Sequence, residues 1–396
     1  MSTVLTLNGG SSSIRFSLYE TAGRLRRLMA GKIDRIGLAA PQFAVDGAVA
    51  PPAQVLRAGS RPEAVEWLLD WLESQGALAG LAGIGHRVVY GLNHGEPAAI
   101  DAALLAELKR VTPFDPEHMP AEIALIETLL ARHPRIPQFA CFDTAFHRSM
   151  PRVAQLLPLP RRYDERGIRR YGFHGLSYAY LLEELQRLGD PAATRGRVIL
   201  AHLGNGASMA AVRDGASIDT SMGFTPAAGL VMSTRSGDLD PGLCYYLMQS
   251  EGMSAERFQT LVNHESGLAG ISGGGSPDVR DLLAHEADDE RAAEALAVFC
   301  YQAKKWLGAY AAALGGLDTL VFAGGIGENA APLRERICAG LQFLGLELDA
   351  TRNAAHAGVI SGEQSRVTVR VIRTDEESMI ATLVARRVTA RAQQKE

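Results

Sequence analysis

At 396 residues the chain exceeds what one ordinary hydrophobic core organises, so two domains or lobes are expected. Its 47% hydrophobic and 21% charged residues are those of a globular protein, and a net charge of −4 without a basic stripe excludes the footprint of a nucleic-acid or anionic-membrane binder. Four scattered cysteines with no C-x-x-C pair exclude a zinc ribbon or disulfide frame, no run reaches the roughly 18–20 apolar residues of a membrane span, and the start lacks a basic, then apolar leader, so a cytoplasmic location is expected.

In chain order, apolar residues alternate from Leu5 to Leu18 on both sides of Asn8 to Ser12, which predicts strand, Gly/Ser turn, strand. Stretches around Pro41 and Pro51 read as loops. Residues 62–75 read as a helix with Pro62 in its first turn. Gly83 to Val89 is a short strand that carries His86 and Arg87. Helices are predicted over 101–110 and 120–132, and the strand Gln138 to Phe142 delivers Asp143. Arg197 to Val212 repeats the opening theme of strand, glycine turn and strand. A long apolar-periodic helix covers 290–314. It is followed by a strand from Leu317 to Phe322, a turn over Gly324 to Asn329 and a helix from Ala331 to Gly340. The tail from 376 to 392 is helical and is expected to fold back onto the first lobe.

Two β-turn-β openings with small polar turns point to an α/β protein with the actin-like plan: two ribonuclease-H-like lobes and a nucleotide cleft between them. Phosphates bind where backbone N–H groups converge in tight turns, and one turn per lobe clamps a polyphosphate from both sides. The expected division is 1–147 plus 378–396 for the first lobe and 148–377 for the second. No G-x-x-x-x-G-K-[ST], H-E-x-x-H or EF-hand loop is present. Gly270-Ile-Ser272-Gly-Gly274 matches G-x-S-x-G. A nucleophile elbow needs a strand before it and a helix after it, and neither is evident, so it reads as a glycine-rich loop.

Five segments carry candidate chemistry. The hydroxyls of Asn8 to Arg15 suit phosphate oxygens, or form an ordinary hairpin turn. Arg87 ends an apolar strand, where its charge needs a bound anion or a local carboxylate. Asp143 follows a buried strand as a catalytic or metal-linked carboxylate, or as a helix N-cap. His174 sits between aromatic residues and Gly175, as a functional or a core histidine, and Gly204-Asn-Gly206 is a phosphate turn or a tight hairpin. Arg235, among Thr, Ser and Gly, is an anion clamp or a turn arginine.

Taken in order, these strings resemble the acetate kinase family over almost the whole chain. They are Asn8 to Ser13, His86-Arg87-Val-Val, Phe142-Asp-Thr-Ala-Phe-His147, Arg170-Tyr-Gly-Phe-His-Gly175, His202-Leu-Gly-Asn-Gly206, Asp219 to Pro226, Thr234-Arg-Ser-Gly-Asp238, Asp278-Val-Arg-Asp281, Gly325-Ile-Gly-Glu-Asn329 and Thr374-Asp-Glu-Glu377. The resemblance implies Mg-ATP-dependent transfer of a phosphoryl group to a short-chain carboxylate, with Mn2+ as an alternative metal. Asn8 and Glu376 would help hold the metal, and Arg15 would face phosphate. Arg87, Asp143, His174 and Arg235 would be catalytic. His202, Leu203, Gly204, Asn205 and Gly206 would cradle the polyphosphate. Asp278, Val279 and Arg280, with Gly325, Ile326, Gly327, Glu328 and Asn329, would hold the adenosine. Val89, Phe173 and Pro226 would line the acyl pocket, and a homodimer is implied. The transfer would be direct and in line, stabilised by arginines, His174 and metal.

The sequence also departs from the family. The proline-leucine-histidine-asparagine-proline string is set against Pro113-Phe-Asp-Pro116-Glu-His118-Met-Pro120, which puts Asp115 at the pocket histidine. Asp115 then caps the next helix, pairs with Arg87 or His118, or accepts from a substrate hydroxyl, and His118 is a candidate to restore the imidazole. Arg15 replaces a lysine, Gly9 an alanine, Leu176 and Tyr178 a threonine and a histidine, and Ser233 a glycine. Propionate or another short acid is therefore as open as acetate. The alternatives are a kinase for a small hydroxy acid and an actin-like nucleotide switch.

Overall fold

Strand β1 (Thr3–Gly9) pairs antiparallel with β2 (Ile14–Glu20), with Leu5 opposite Leu18 and Leu7 opposite Phe16. The computed structural model describes residues 2–10, 13–38, 40–46, 54–56 and 59–393. The Ser11–Ser12 turn tip and the loop expected around Pro51 lie outside them. The sheet continues with β3 (Arg26–Asp34), β4 (Gln42–Asp46), β5 (Gln54–Val55), β6 (Leu81–Val88), β7 (Ala98–Ala99) and β8 (Gln138–Phe142), in the order β5-β4-β3-β2-β1-β6-β8-β7. Pro41 thus leads directly into a strand.

Both faces of this sheet are covered. On one, the helix Arg61–Ser74 buries Leu68, Leu69 and Leu72, and its Trp67 and Trp71 rings meet Phe43 at 4.8 Å. Each leucine contributes about 1.5–3 kcal/mol of apolar burial. Ser60 and Glu63 form a capping box that starts the helix. On the other face lies the helix Glu376–Gln393. A Cβ at Gly85 would sit 2.5 Å from Ile380 and 2.7 Å from Val384, so only glycine lets this helix approach the strand.

The second sheet contains β9 (Arg197–Leu203), β10 (Ala207–Arg213), β11 (Ala216–Thr220), β12 (Thr319–Ala323) and β13 (Thr368–Val371), in the order β11-β10-β9-β12-β13. The helix Glu290–Leu314 packs Leu296, Phe299 and Leu307 into its core. Each sheet runs three antiparallel strands followed by two parallel ones, β3-β2-β1-β6-β8 and β11-β10-β9-β12-β13. This is the ribonuclease-H-like plan, twice, in the α/β actin-like class.

The chain divides into Met1–Phe146 with Asp375–Glu396, and His147–Thr374. Asp375 to Glu377 fall with the first unit because Glu376 opens the helix that covers the first sheet. The segment read as a turn over Gly324 to Asn329 is instead a short helix. Gly324, at φ +76°, turns the chain out of β12, and the Glu328 carboxylate accepts its N–H at 3.0 Å. Ser272 ends a short helix, Gly267–Ile271, and donates to the Ala269 carbonyl, so no strand precedes it.

Candidate active site

In the first unit, β6 and β8 are parallel neighbours with Arg87 beside Cys141 and Val88 beside Phe142. This register brings Arg87 and Asp143 together at the same end of the sheet. Arg87 donates from Nε and Nη2 to Asp143 Oδ2 at 3.1 and 2.5 Å, and from Nη1 to Asn8 Oδ1 at 3.4 Å. Asn8 in turn donates to Glu376 at 3.4 Å. Arg15 lies opposite Asn8 in the hairpin register. Burial alone would pull the Arg87 guanidinium down, but Asp143, Glu376 and Glu122 hold it raised and charged. Burial pushes the Glu376 carboxyl up, against Arg87. The Asp143 carboxylate is spent on the guanidinium, not on capping the 145–149 turn.

Asp115 and His118 belong to the same unit. Asp115 is 5% exposed, and its Oδ1 accepts the backbone N–H groups of Glu117 and His118 at 3.2 and 3.1 Å. His118 Nδ1 lies 2.9 Å from the same oxygen. Burial opposes the Asp115 charge, yet the His118 ring and these N–H groups hold its pKa below the usual range. The residue therefore orients His118 at the start of the helix Met119–Arg132.

In the second unit, the turn Gly204-Asn-Gly206 joins β9 to β10 and is closed by the Gly204 N–H to Gly206 carbonyl bond, 3.0 Å. A Cβ at Gly206 would lie 3.2 Å from His174 Nε2 and 3.6 Å from Arg235 Nη1. The turn thus gathers both candidate residues around one glycine. Arg235 is fixed by the Pro226 carbonyl at 3.2 Å. His174, at φ +59°, precedes the helix Gly175–Arg187 and stacks on His202 with ring centroids 4.2 Å apart. His174 Nδ1 meets Ser208 Oγ at 2.9 Å, and Tyr178 Oη meets the same hydroxyl at 2.5 Å. His202 Nδ1 continues through Ser177 to Thr374, whose N–H reaches Glu328. A Cβ at Gly204 would lie 3.7 Å from the Gly325 nitrogen, so this turn adjoins the start of the short helix Gly324–Asn329.

Phe173 is buried, and its carbonyl takes the Nε2 side of His147 at 3.1 Å. Burial lowers His147 to about 4, which keeps it neutral as a buttress of the loop before His174. Asp278 caps the helix Val279–His285 and pairs with exposed Arg280, while Val279 is buried. The visible link from that helix toward the Gly325 segment is the Arg336–Glu286 ion pair.

Residues 3–382 match the sequence profile described as the Acetokinase family. The chain belongs to that family. It is 44% identical to an acetate kinase from Methylocella silvestris, with 96% of each protein covered. Among solved structures it is similar to a propionate kinase from Francisella tularensis, with TM-score 0.90, 37% identity and 97% and 99% of the two chains covered. It is also similar to the Porphyromonas gingivalis acetate kinase, with TM-score 0.88, 36% identity and coverage of 98% and 100%.

The string proline-leucine-histidine-asparagine-proline can also be set three residues further on. Pro116-Glu-His118-Met-Pro120 keeps both prolines and the histidine. The carboxylate of Asp115 holds the ring of that histidine, one of the pairings expected for it. Residues that sequence reasoning missed are Glu122, Ser208, Ser177 and Arg334. Arg334 is fully buried and donates to the carbonyls of Gly327 and Glu328 at 2.9 and 3.0 Å, bracing that acetokinase segment. A charged residue inside an apolar helical stripe was the available signal for Glu122 and for Arg334.

Proposed function

We propose that this chain transfers the γ-phosphoryl group of ATP to acetate or propionate, reversibly, giving the acyl phosphate and ADP. The observation that carries the reading is Arg87, a cation pinned by the buried Asp143 carboxylate at the end of β6 in a chain of this family. A carboxylate oxygen attacks the γ-phosphorus, and the bond to the ADP oxygen breaks in line. The acid is already deprotonated near neutral pH, so no general base is required. Asp143 acts by orienting Arg87.

Arg87 and Arg235 grip the carboxylate and the moving phosphoryl group, and His174 donates to its equatorial oxygens. The buried Tyr178 phenol, held protonated, donates to Ser208. Ser208 then donates to His174 Nδ1, which leaves the imidazole proton on Nε2, beside Gly206. His202 to Gly206 receive the polyphosphate through backbone N–H groups, and Arg15 faces phosphate. Asp278 to Arg280 and Gly325 to Asn329 are assigned to the adenosine. Val89 in the first unit and Phe173 and Pro226 in the second are assigned to the alkyl group.

Asn8 and Glu376 offer the hard oxygen donors that Mg2+ or Mn2+ takes with ATP. Among the described residues no three His, Cys, Asp or Glu side chains gather as a cage, which suits a metal held largely by water and phosphate. Such a metal neutralises charge on the phosphate oxygens. Homodimer formation is supported by the helix Pro241–Glu251, which buries none of its residues and exposes Leu243, Tyr245 and Tyr246. No helix among the described residues is long and apolar enough to cross a membrane, and we assign the enzyme to the cytoplasm. The occupied Asp115–His118 pair removes the motive for a hydroxy-acid substrate.

The test is phosphoryl transfer from Mg-ATP to acetate, propionate, butyrate and hydroxy acids, with Arg87→Ala as control. Turnover on acetate or propionate that is lost in the control is the expected result. Turnover confined to hydroxy acids would overturn the assignment.

A further inference from the structure

The helix Met119–Arg132 buries a stripe formed by Met119, Ile123, Ile126 and Leu129. Glu122 falls inside that stripe and is 2% exposed. Its Oε2 accepts the Val89 N–H at 3.0 Å. Its Oε1 has no hydrogen-bond partner among the described residues and stands 3.9 Å from Arg87 Nη1, too far for a hydrogen bond. A buried carboxylate oxygen left in this state is costly unless it carries a proton or meets a ligand.

The charges around it sharpen the point. Asp143, Glu376 and Glu122 all face the one guanidinium of Arg87. Asp143 already takes two of its nitrogens, and Glu376 is assigned to the metal. Arg61, on the helix Arg61–Ser74, is the other cation that feels Glu122, and it spends a donor on the Gly10 carbonyl at 2.6 Å. Asp115 faces Glu122 from the start of its own helix, with its carboxylate hydrogen-bonded to the His118 ring. Three ionised acids around Arg87 would leave the surroundings negative where a carboxylate anion has to arrive. Asp143 Oδ1 and Glu122 Oε1 both lack a hydrogen-bond partner among the described residues, but Asp143 is tied to Arg87 at 2.5 Å while Glu122 stands 3.9 Å away, so Glu122 is the acid that takes a proton.

We propose that Glu122 determines recognition of the acid substrate by acting as a neutral carboxylic acid, whose Oε1–H donates a hydrogen bond to the carboxylate received by Arg87 and Val89. This rests on the reading that those two residues meet the acid. The Val89 N–H holds the carbonyl oxygen of Glu122, so the proton is directed to Oε1. The substrate carboxylate thereby gains a donor without another fixed cation, and an ionised Glu122 would repel it. Burial pushes the Glu122 carboxyl up to about 8, opposed by Arg87 and the Val89 N–H and assisted by Asp143 and Asp115.

The experiment is steady-state kinetics from pH 6.5 to 9.5 on the wild-type enzyme, Glu122→Gln and Arg87→Lys, with KM for acetate and for Mg-ATP measured separately. In the wild type, KM for acetate is flat at low pH and climbs by up to about tenfold per pH unit above about 8, while KM for ATP does not follow. Glu122→Gln, which keeps a donor and cannot ionise, holds acetate KM within about threefold of the low-pH value throughout. The wild-type profile stands even if the variant folds poorly, which a thermal melt reports. A flat wild-type profile, a rise that persists in Glu122→Gln, or a tenfold loss of acetate binding in that variant at pH 7 would each overturn the proposal. If Arg87→Lys leaves acetate KM unchanged, the assignment of Arg87 to the acid fails first, and the proposal with it.

Discussion

The two sheets share a strand plan and differ in what each places at the end of its first parallel strand. β6 carries Arg87 one residue before its end, enclosed by Asp143, Glu122 and Glu376. β12 ends in a glycine that turns the chain into a short helix, and the neighbouring β9–β10 turn is Gly204-Asn-Gly206. The first unit therefore concentrates charge, and the second places a glycine turn among His174, Ser208, Tyr178 and His202. A polyphosphate needs donors that no nearby acid cancels, whereas a metal and a guanidinium need acids to hold them. In the proposed reaction one scaffold serves both tasks, because it fixes where strands end and leaves the side chains at those ends free to differ.

The largest expected effect comes from breaking the charged cluster. Arg87→Ala should lower kcat/KM by about 10³-fold or more and destabilise the fold by about 3–5 kcal/mol, since it strands buried carboxylates. Arg235→Ala should lower kcat by about 10²–10³-fold and cost less stability than Arg87→Ala, because the Pro226 carbonyl it ties is neutral. Turnover assays and urea unfolding of both variants check this, and equal stability losses would break the contrast between the units. Next comes Gly206→Ala. Its methyl would press on His174 at 3.2 Å, and activity should fall about 10–100-fold with little change in the melting temperature.

Tyr178→Phe removes the phenol that sets Ser208, with an expected loss of about 1–2 kcal/mol in urea unfolding and about tenfold in kcat. Nitrogen NMR of His174 should then report a mixture of tautomers in place of one. A last effect is a pH-dependent stability difference at Glu122. Its pKa in the fold, about 8, exceeds the unfolded value of about 4.3, so the native state holds the proton across that window. Its contribution is full below the unfolded value and is lost as pH rises through the window. Glu122→Gln should therefore gain on the wild type in urea midpoint between pH 5 and pH 9. A constant difference would show that Glu122 carries no extra proton.

Much of the scaffold is legible because period-two patterns flank Asn8 and Gly204, and the 290–314 helix keeps its apolar stripe without a break. β3 and β4 escape that reading, since Arg26, Arg27 and Lys32 face solvent and leave little alternation. The short helix at Gly324 escapes because glycines argue against helix until the Glu328 carboxylate is seen holding the Gly324 N–H. Site residues at strand ends, such as Arg87 and Asp143, are visible from spacing. Supports such as Glu122, Ser208 and Arg334 are not, because their partners are distant in sequence and their roles exist only once the elements pack. Asp115 shows the limit of string matching. The string can be set in two registers three residues apart, and the Asp115–His118 contact joins the two candidate positions.

The return of the chain from Thr374 to the first unit has a consequence for biosynthesis. Ile380 and Val384 fill the space over Gly85, and Glu376 supplies its carboxylate from the same helix. On the ribosome the continuous run His147–Thr374 can complete its own core, while the earlier-made sheet waits with an apolar face uncovered. At about 5–20 residues per second that wait lasts on the order of ten to fifty seconds, the interval in which chaperones and aggregation compete for the nascent protein. A chain that stalls before its final helix lacks both the cover for that sheet and the Glu376 carboxylate, so only finished molecules carry the complete acidic cluster.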